Sequence, residues 1–444
     1  MSTGKTPLCC CEHLILDRAG TRIVTTDIVT TELNWAGNYR YQAEQVEAPT
    51  SMHELQQIVA GADRVRALGS RHSFNSIADT RGTLVSLHRL DADIVVDEAA
   101  LTVTVGGGTK YGILAEELSR RGFALHNLAS LPHISVAGAI ATATHGSGDG
   151  NGNLATAVRA LEIVTGSGEL LTVSREATPD FAGIVVGLGA LGIVTRVTLE
   201  IQPTFDVRQD VFENLPWSLV LENFDAVTAA AYSVSLFTDW SGDSVDQAWL
   251  KSRAPFVARS EFYGGTPATQ PRHPLPGISG SDCTEQLGVV GPWHDRLAHF
   301  RLAFTPSNGA ELQSEYLLPR EHAVAAIEAM RGLSNVITPL LLVSEVRTVA
   351  ADDLWLSANY GRDGIALHFT WKPEQQAVEQ VLLLMEAALA PFQARPHWGK
   401  LFQLGAADLA PLYPKFSEFQ DLAERMDPQH TFRNDFLERT VFGG

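Results

Sequence analysis

Short apolar runs alternate with stretches of helical spacing from Asn34 to about Pro203. Ser51, followed three residues later by Glu54, precedes Leu55, Ile58 and Val59, which predicts a capping box opening an amphipathic helix. Val65 to Leu68 predicts a buried strand ending at Gly69. Strand character returns over Ile94 to Val96 and Leu101 to Val105, and Gly106-Gly107-Gly108 closes the second. Tyr111 to Arg121 has helical spacing stopped by Gly122. Leu161 to Thr165 and Leu170 to Val173 flank Gly166-Ser167-Gly168, a hairpin signal. Ile193 to Ile201 alternates branched apolar and polar residues and predicts a further strand. Strands with helices between them make this region an α+β unit.

From about Thr204 the pattern changes. Tyr232 to Phe237, Gln247 to Leu250, Leu312 to Leu318, Leu341 to Val349 and Ile365 to Trp371 predict strands, several of them longer than those before. Arg320 to Met330 and Glu374 to Leu389 predict helices. Ser252 to Trp293 is a Pro- and Gly-rich loop with little periodicity, and a loop of that length in a compact domain is usually a lid or a binding loop. The segment from about Pro396 reads as a strand, two short helices and a tail. Pattern alone therefore divides the chain into 1–33, 34–203, 204–395 and 396–444, the first without a readable pattern.

A length of 444 residues is too great for one typical domain, and 45% hydrophobic with 19% charged residues describes an ordinary globular protein. The net charge of −18 repels phosphate backbones and anionic lipid, which disfavours nucleic-acid and membrane partners. No stretch approaches the ~20 apolar residues of a spanning helix, and no signal peptide is evident. Cys9, Cys10, Cys11 and Cys283 offer no disulfide framework. The run Cys9 to His13 could bind a soft metal, but no second ligand pair sits at zinc-site spacing, and a reduced tail in a cytoplasmic protein is the favoured reading.

Four stretches could carry chemistry. Gly69-Ser70-Arg71-His72-Ser73-Phe74-Asn75 follows a predicted strand; it is either an anion cradle or a polar turn with an exposed His72. Ser130 to Gly138, continuing into Thr142-Ala143-Thr144-His145-Gly146, is rich in small residues that let backbone approach a ligand, and its apolar Ile134, Val136, Ala139 and Ile140 disfavour a solvent loop. Gly187-Leu188-Gly189-Ala190-Leu191-Gly192 matches the dinucleotide fingerprint but precedes a strand instead of opening a helix, so a nicotinamide-binding unit is rejected. Glu345 and Arg347 alternate onto one face of a strand, as do His368 and Thr370 on another, and Lys400 closes His397-Trp398-Gly399-Lys400. Each alone is more often structural than catalytic.

Together these stretches resemble the vanillyl-alcohol-oxidase-type FAD-binding superfamily. Within it, Ser130-Leu-Pro-His-Ile-Ser, Phe237-Thr-Asp-Trp240, Glu345-Val-Arg-Thr-Val-Ala-Ala-Asp and Pro396-His-Trp-Gly-Lys400 resemble the alditol oxidases. Asp427-Pro428 with Phe432 and Asn434 resembles the ending shared with sugar-lactone oxidases. The resemblance implies an α+β chain with a two-part FAD-binding domain (34–203, completed by 396–444) and a cap with an antiparallel sheet (204–395). It implies FAD carried covalently on His72, with Gly69, Ser70, Arg71, Ser73, Phe74, Ser130, Ser135, Gly138, Thr142, His145, Gly146 and Ile193 around the cofactor. Arg71 departs from the glycine often found before that histidine, and no cysteine is present in the 130–138 loop for a second tether.

The resemblance further implies a polyol pocket of Ser130, Glu345, Arg347, His368, Thr370 and Lys400. The terminal hydroxyl of a substrate such as xylitol or sorbitol would lose its proton to His368 or Lys400 and its hydride to the flavin N5, with O2 reduced to hydrogen peroxide. A monomer or small homo-oligomer is expected. A sugar-1,4-lactone oxidase or dehydrogenase of the same fold, and a flavin-binding protein without turnover, are the competing readings.

Overall fold

The computed structural model describes residues 33–90, 93–303 and 310–443. The run Cys9 to Cys11 lies outside them. Glu32–Gly444 forms one compact unit.

The first half builds two sheets. Gln45–Glu47, Thr83–Ser86 and Val65–Leu68 pair in parallel in that order, backed by the helix Met52–Ala60, whose Leu55 and Val59 are buried. Ser51 caps that helix by accepting from the Glu54 amide, while the Glu54 carboxylate turns back to the Thr50 amide, one residue earlier than a standard box. The second sheet is antiparallel, in the order Val95–Asp97, Thr102–Gly106, Ile193–Glu200, Val158–Val164 and Leu170–Ser174. The turn over 187–192 leads into Ile193–Glu200 as a strand, with Leu188, Gly189 and Gly192 all at positive φ. It opens no helix, in keeping with the rejected nicotinamide motif.

The second half is one broad antiparallel sheet. Its main strands run in the order Asp206–Pro216, Ser244–Arg253, Ser233–Thr238, Leu341–Val349, Gly364–Trp371 and Leu312–Pro319, with Arg395–Pro396 beyond. The helices Ala323–Gly332 and Gln375–Leu389 bury Ile327, Met330, Val378, Leu382 and Met385 in the core that covers one face. The opposite face looks toward the first half, and the site lies there. This is the expected α+β architecture, and the sheets divide close to residue 204. Among the described residues no helix is long and apolar enough to cross a membrane.

Arg66 stitches the C-terminal segment to the first half. Its fully buried guanidinium donates to the carbonyls of Gly189 (2.8 Å), Leu188 (2.8 Å), Phe432 (2.9 Å) and Ile77. Burial is the leading influence on this group and lowers its pKa to about 10, so it stays charged at neutral pH. Replacing Arg66 with Met strands four buried acceptors and should cost about 3 kcal/mol. By contrast Arg159→Met, at a surface ion pair, should cost less than about 1 kcal/mol. Comparing the thermal denaturation midpoints of the two variants checks this; equal midpoints would contradict it.

Candidate active site

Strand register assembles the site. Glu345 pairs across to His368, and His368 pairs on its other side with Glu315, so three side chains form one row on one face. The next row carries Val343, Thr370 and Gln313, and Arg347 lies two residues along from Glu345. Directly opposed residues on neighbouring strands stand about 5 Å apart, close enough for their side chains to interact.

Two buried carboxylates flanking one imidazole would repel each other in the absence of cations. Arg347 supplies one, reaching Glu315 Oε1 at 2.5 Å and lying 3.7 Å from Glu345 Oε2 through Nε. Lys400 supplies another, with Nζ 2.7 Å from Glu315 Oε2. His145 Nε2 is 3.3 Å from Glu315 Oε1. Burial pushes both carboxyls up, but Lys400 and Arg347 outweigh it at Glu315, and Arg347 and His299 at Glu345, so both stay ionised.

The same cations act on the bases. Burial, then Lys400, holds His368 well below the ordinary histidine value, so it is neutral. Burial also lowers Lys400, with Glu315 opposing. Gln313 donates to Glu311 Oε1 (2.7 Å), which turns its amide oxygen to His368 Nε2 at 3.2 Å. That arrangement favours the proton on Nε2 and leaves the lone pair on Nδ1.

On the other side of the cavity stand the loop 69–74 and the stretch 130–144. His72 is stacked on Trp35 (centroids 5.1 Å apart, planes at 20°), and its Nδ1 is buried without a hydrogen-bond partner. Burial, with His133 and Lys110 adding to it, lowers His72 to about 4, so the ring is neutral. Arg71 takes the left-handed conformation (φ 61°), a strained choice for a side chain with a Cβ. This loop is tied to the C-terminal segment: the Phe74 amide donates to Gly399 O (2.8 Å), and Asn75 Nδ2 donates to Trp398 O (2.9 Å) and Lys400 O (2.7 Å). The backbone that carries Lys400 is thereby fixed to the loop that carries His72.

A cavity of ≈ 310 Å³ joins the two halves. It is lined by Gly69 to Phe74, Ser130, Ser135, Gly138, Thr142 and His145 on one side, and by Glu345, Arg347, His368, Thr370 and Lys400 on the other. Arg347 lies 3.4 Å from Ser130 Oγ across it. Two expected residues stand behind the wall. Gly146 packs so tightly that a Cβ would meet Leu128 O at 2.4 Å, and Ile193 is fully buried with Leu55, Val65 and Val164. The sequence pattern singled out neither Glu315, Gln313, His299 nor Lys251, and it named His397 only as part of the stretch ending at Lys400. The alternation of Leu312 to Leu318 put Gln313 and Glu315 on one face, which was a usable signal; His299 follows a loop with none.

One wall of this cavity is bare glycine backbone and the other a row of charged side chains, a donor set suited to a cofactor on the first and a polar substrate on the second. Cβ atoms at Gly69 and Gly138 would each come within 2.8 Å of Ser135 Oγ, so both positions are kept bare where backbone nears the cavity wall. Among the described residues no cluster of His, Cys, Asp and Glu could hold a metal ion.

Comparison with known proteins agrees with this geometry. Residues 43–174 match the FAD binding domain family and residues 308–440 the D-arabinono-1,4-lactone oxidase family. The structure resembles cholesterol oxidase from B. sterolicum with a TM-score of 0.74 at 15% identity, covering 92% of this chain and 96% of that one. An alditol oxidase from a Streptomyces species is 48% identical over 93% of this chain and 100% of its own length. An L-gulono-1,4-lactone dehydrogenase from Mycobacterium tuberculosis is 31% identical over 92% of this chain and 98% of its own. Fold and site thus define an FAD-binding oxidoreductase with a cap domain. The chain belongs to the alditol oxidase family, with the sugar-1,4-lactone oxidases as its relatives.

Burial leads the lowering of His299 from 6.5 to about 4, and of His368 and His397 well below 6.5. In the unfolded chain each titrates near its ordinary value, so between about pH 6.5 and 4 the unfolded state binds more protons. Their contribution is complete above that window and is lost as pH falls through it. Thermal midpoints measured across the window should drop steadily toward acid; a flat profile would contradict the assignment.

Proposed function

We propose that this chain is an FAD-dependent alditol oxidase, converting the terminal hydroxyl of a polyol such as xylitol or sorbitol to the aldose with O2 reduced to hydrogen peroxide. The observation that carries the reading is the row Glu345, His368, Glu315 with Arg347 and Lys400 against it, facing the cavity wall that holds His72.

When bound, FAD supplies the hydride acceptor at its N5 and hands the electron pair to O2. His72 would carry it covalently, and the neutral ring with its unpartnered Nδ1 supports this role. Gly69, Ser70, Ser73, Ser135, Gly138 and Thr142, all on the cavity wall, would hold the cofactor beside it.

His368, neutral and with a lone pair on Nδ1, takes the proton of the terminal hydroxyl. Lys400, held on Glu315, orients that hydroxyl with a positive charge and favours the developing alkoxide. Glu345 and Arg347 accept from and donate to inner hydroxyls, and Ser130 and Thr370 complete the pairing. A pocket that pairs successive hydroxyls rejects deoxy analogues strongly, because its own buried groups would be left unpaired. A neutral polyol also enters freely against a net charge of −18. A soluble cytoplasmic enzyme is the setting we favour; among the described residues Cys283 is a free buried thiol.

One observation favours a lactone substrate instead: the match of residues 308–440 to the D-arabinono-1,4-lactone oxidase family. An anaerobic screen over alditols and aldonolactones separates the two, since only the true substrate class bleaches the flavin. His368→Ala should cost about a hundredfold or more in kcat. His72→Ala should release the yellow chromophore into acid supernatant, whereas the wild type keeps it on the precipitate. Chromophore released from the wild type would reject the covalent bond.

A further inference from the structure

From Glu345 a buried chain of polar groups runs past His299, which also lines the cavity, to Lys251, which does not. Glu345 Oε1 is 2.8 Å from His299 Nε2, and His299 Nδ1 is 2.9 Å from Lys251 Nζ. Lys251 Nζ also reaches Leu297 O (2.6 Å) and Ala298 O (3.1 Å). Lys251 is 1% exposed and His299 5%. The His299 ring is boxed by the rings of Phe237 and Trp249, 5.6 and 5.2 Å away.

Proton counting fixes the directions. Both carbonyls can only accept, so Lys251 donates to each. As an ammonium it has a third proton and no lone pair, so it donates to His299 Nδ1 as well. A neutral imidazole with an accepting Nδ1 carries its one proton on Nε2, and that proton points at Glu345 Oε1. We infer that Lys251 and His299 are positioning residues that dictate the histidine tautomer and thereby occupy Oε1 of Glu345, leaving Oε2 for Arg347 and a substrate hydroxyl. This rests on the proposed role of Glu345 in polyol binding.

The alternative tautomer would turn the His299 Nε2 lone pair against a buried carboxylate. Removal of the Lys251 proton has the same effect, since it frees Nδ1. The charged and titratable groups around Lys251 are Glu345, Cys283, Arg347 and His299. Burial brings the amine down to about 7, so the third donor is lost progressively above neutrality.

The test uses the holoenzyme and three variants: Lys251→Met, His299→Leu and His299→Gln. Gln can accept from Lys251 through Oε1 and donate to Glu345 through Nε2. Losing the donor to Glu345 removes binding present in both ground and transition states, so Lys251→Met and His299→Leu should raise KM for the polyol about tenfold or more with kcat changed less than about threefold. His299→Gln should return KM to within about threefold of the wild type. Should Lys251→Met fail to fold, the Leu and Gln pair at position 299 carries the comparison.

Nitrogen-15 NMR of labelled histidine, independent of turnover, should place the His299 proton on Nε2 in the wild type. A proton on Nδ1, or a Gln variant no better than Leu, overturns the inference. If the wild type turns over lactones alone, the polyol reading fails, and the tautomer measurement still decides the Lys251–His299 orientation.

Discussion

The bridging of two buried carboxylates by Arg347 is the constraint on which the site depends. Glu315 and Glu345 stand on either side of His368 in one row of the sheet. Left to themselves, one would protonate and the other would drag the imidazole toward its charged form. Arg347, close to both, and Lys400, bound to Glu315, keep the carboxylates ionised and the imidazole neutral. A pairing this buried contributes little net stability, because desolvation offsets most of the attraction. Its value lies in fixing which group holds a proton and which lacks one.

Geometry on the far side of the cavity follows from a second constraint. Asn75 and Phe74 bind the backbone of 398–400, so the loop of His72 and the strap of Lys400 move as one piece. Lys400 reaches Glu315, and Glu315 is bound to Arg347 on the cap sheet. Hydrogen bonds therefore run unbroken from the cofactor wall to the polar row, which suits chemistry that needs a donor carbon and an acceptor ring held at fixed separation.

Most of the fold was readable because its period is strong. Ile193–Glu200 alternates cleanly, and the long apolar run Leu341–Val349 marks a strand buried on both faces, where the two-residue spacing of Glu345 and Arg347, as of His368 and Thr370 on the next strand, places each pair on one face. The strand Asp206–Pro216 was not readable. Its Arg208, Asp210 and Glu213 suggest solvent, yet Arg208 pairs with Asp210, Glu213 with Arg272, and the buried Gln209 bonds Thr284 O and Glu285 O. Tertiary partners satisfy groups that look exposed in sequence. The helix Val136–Ala141 was hidden for another reason: six small and apolar residues carry composition but no period. His299 and Lys251 meet only in three dimensions, 48 positions apart, and neither segment hints at the other.

Arg66 has an implication for biosynthesis. Its guanidinium is satisfied only when the carbonyl of Phe432 arrives, and Asn434 then caps the carbonyls of Ser76, Ile77 and Asp79. Until those late residues have left the ribosome, the Arg66 guanidinium lacks one of its four acceptors and the carbonyls of Ser76, Ile77 and Asp79 lack their amide donor, so the first half reaches its full set of ties only once residue 434 is in place.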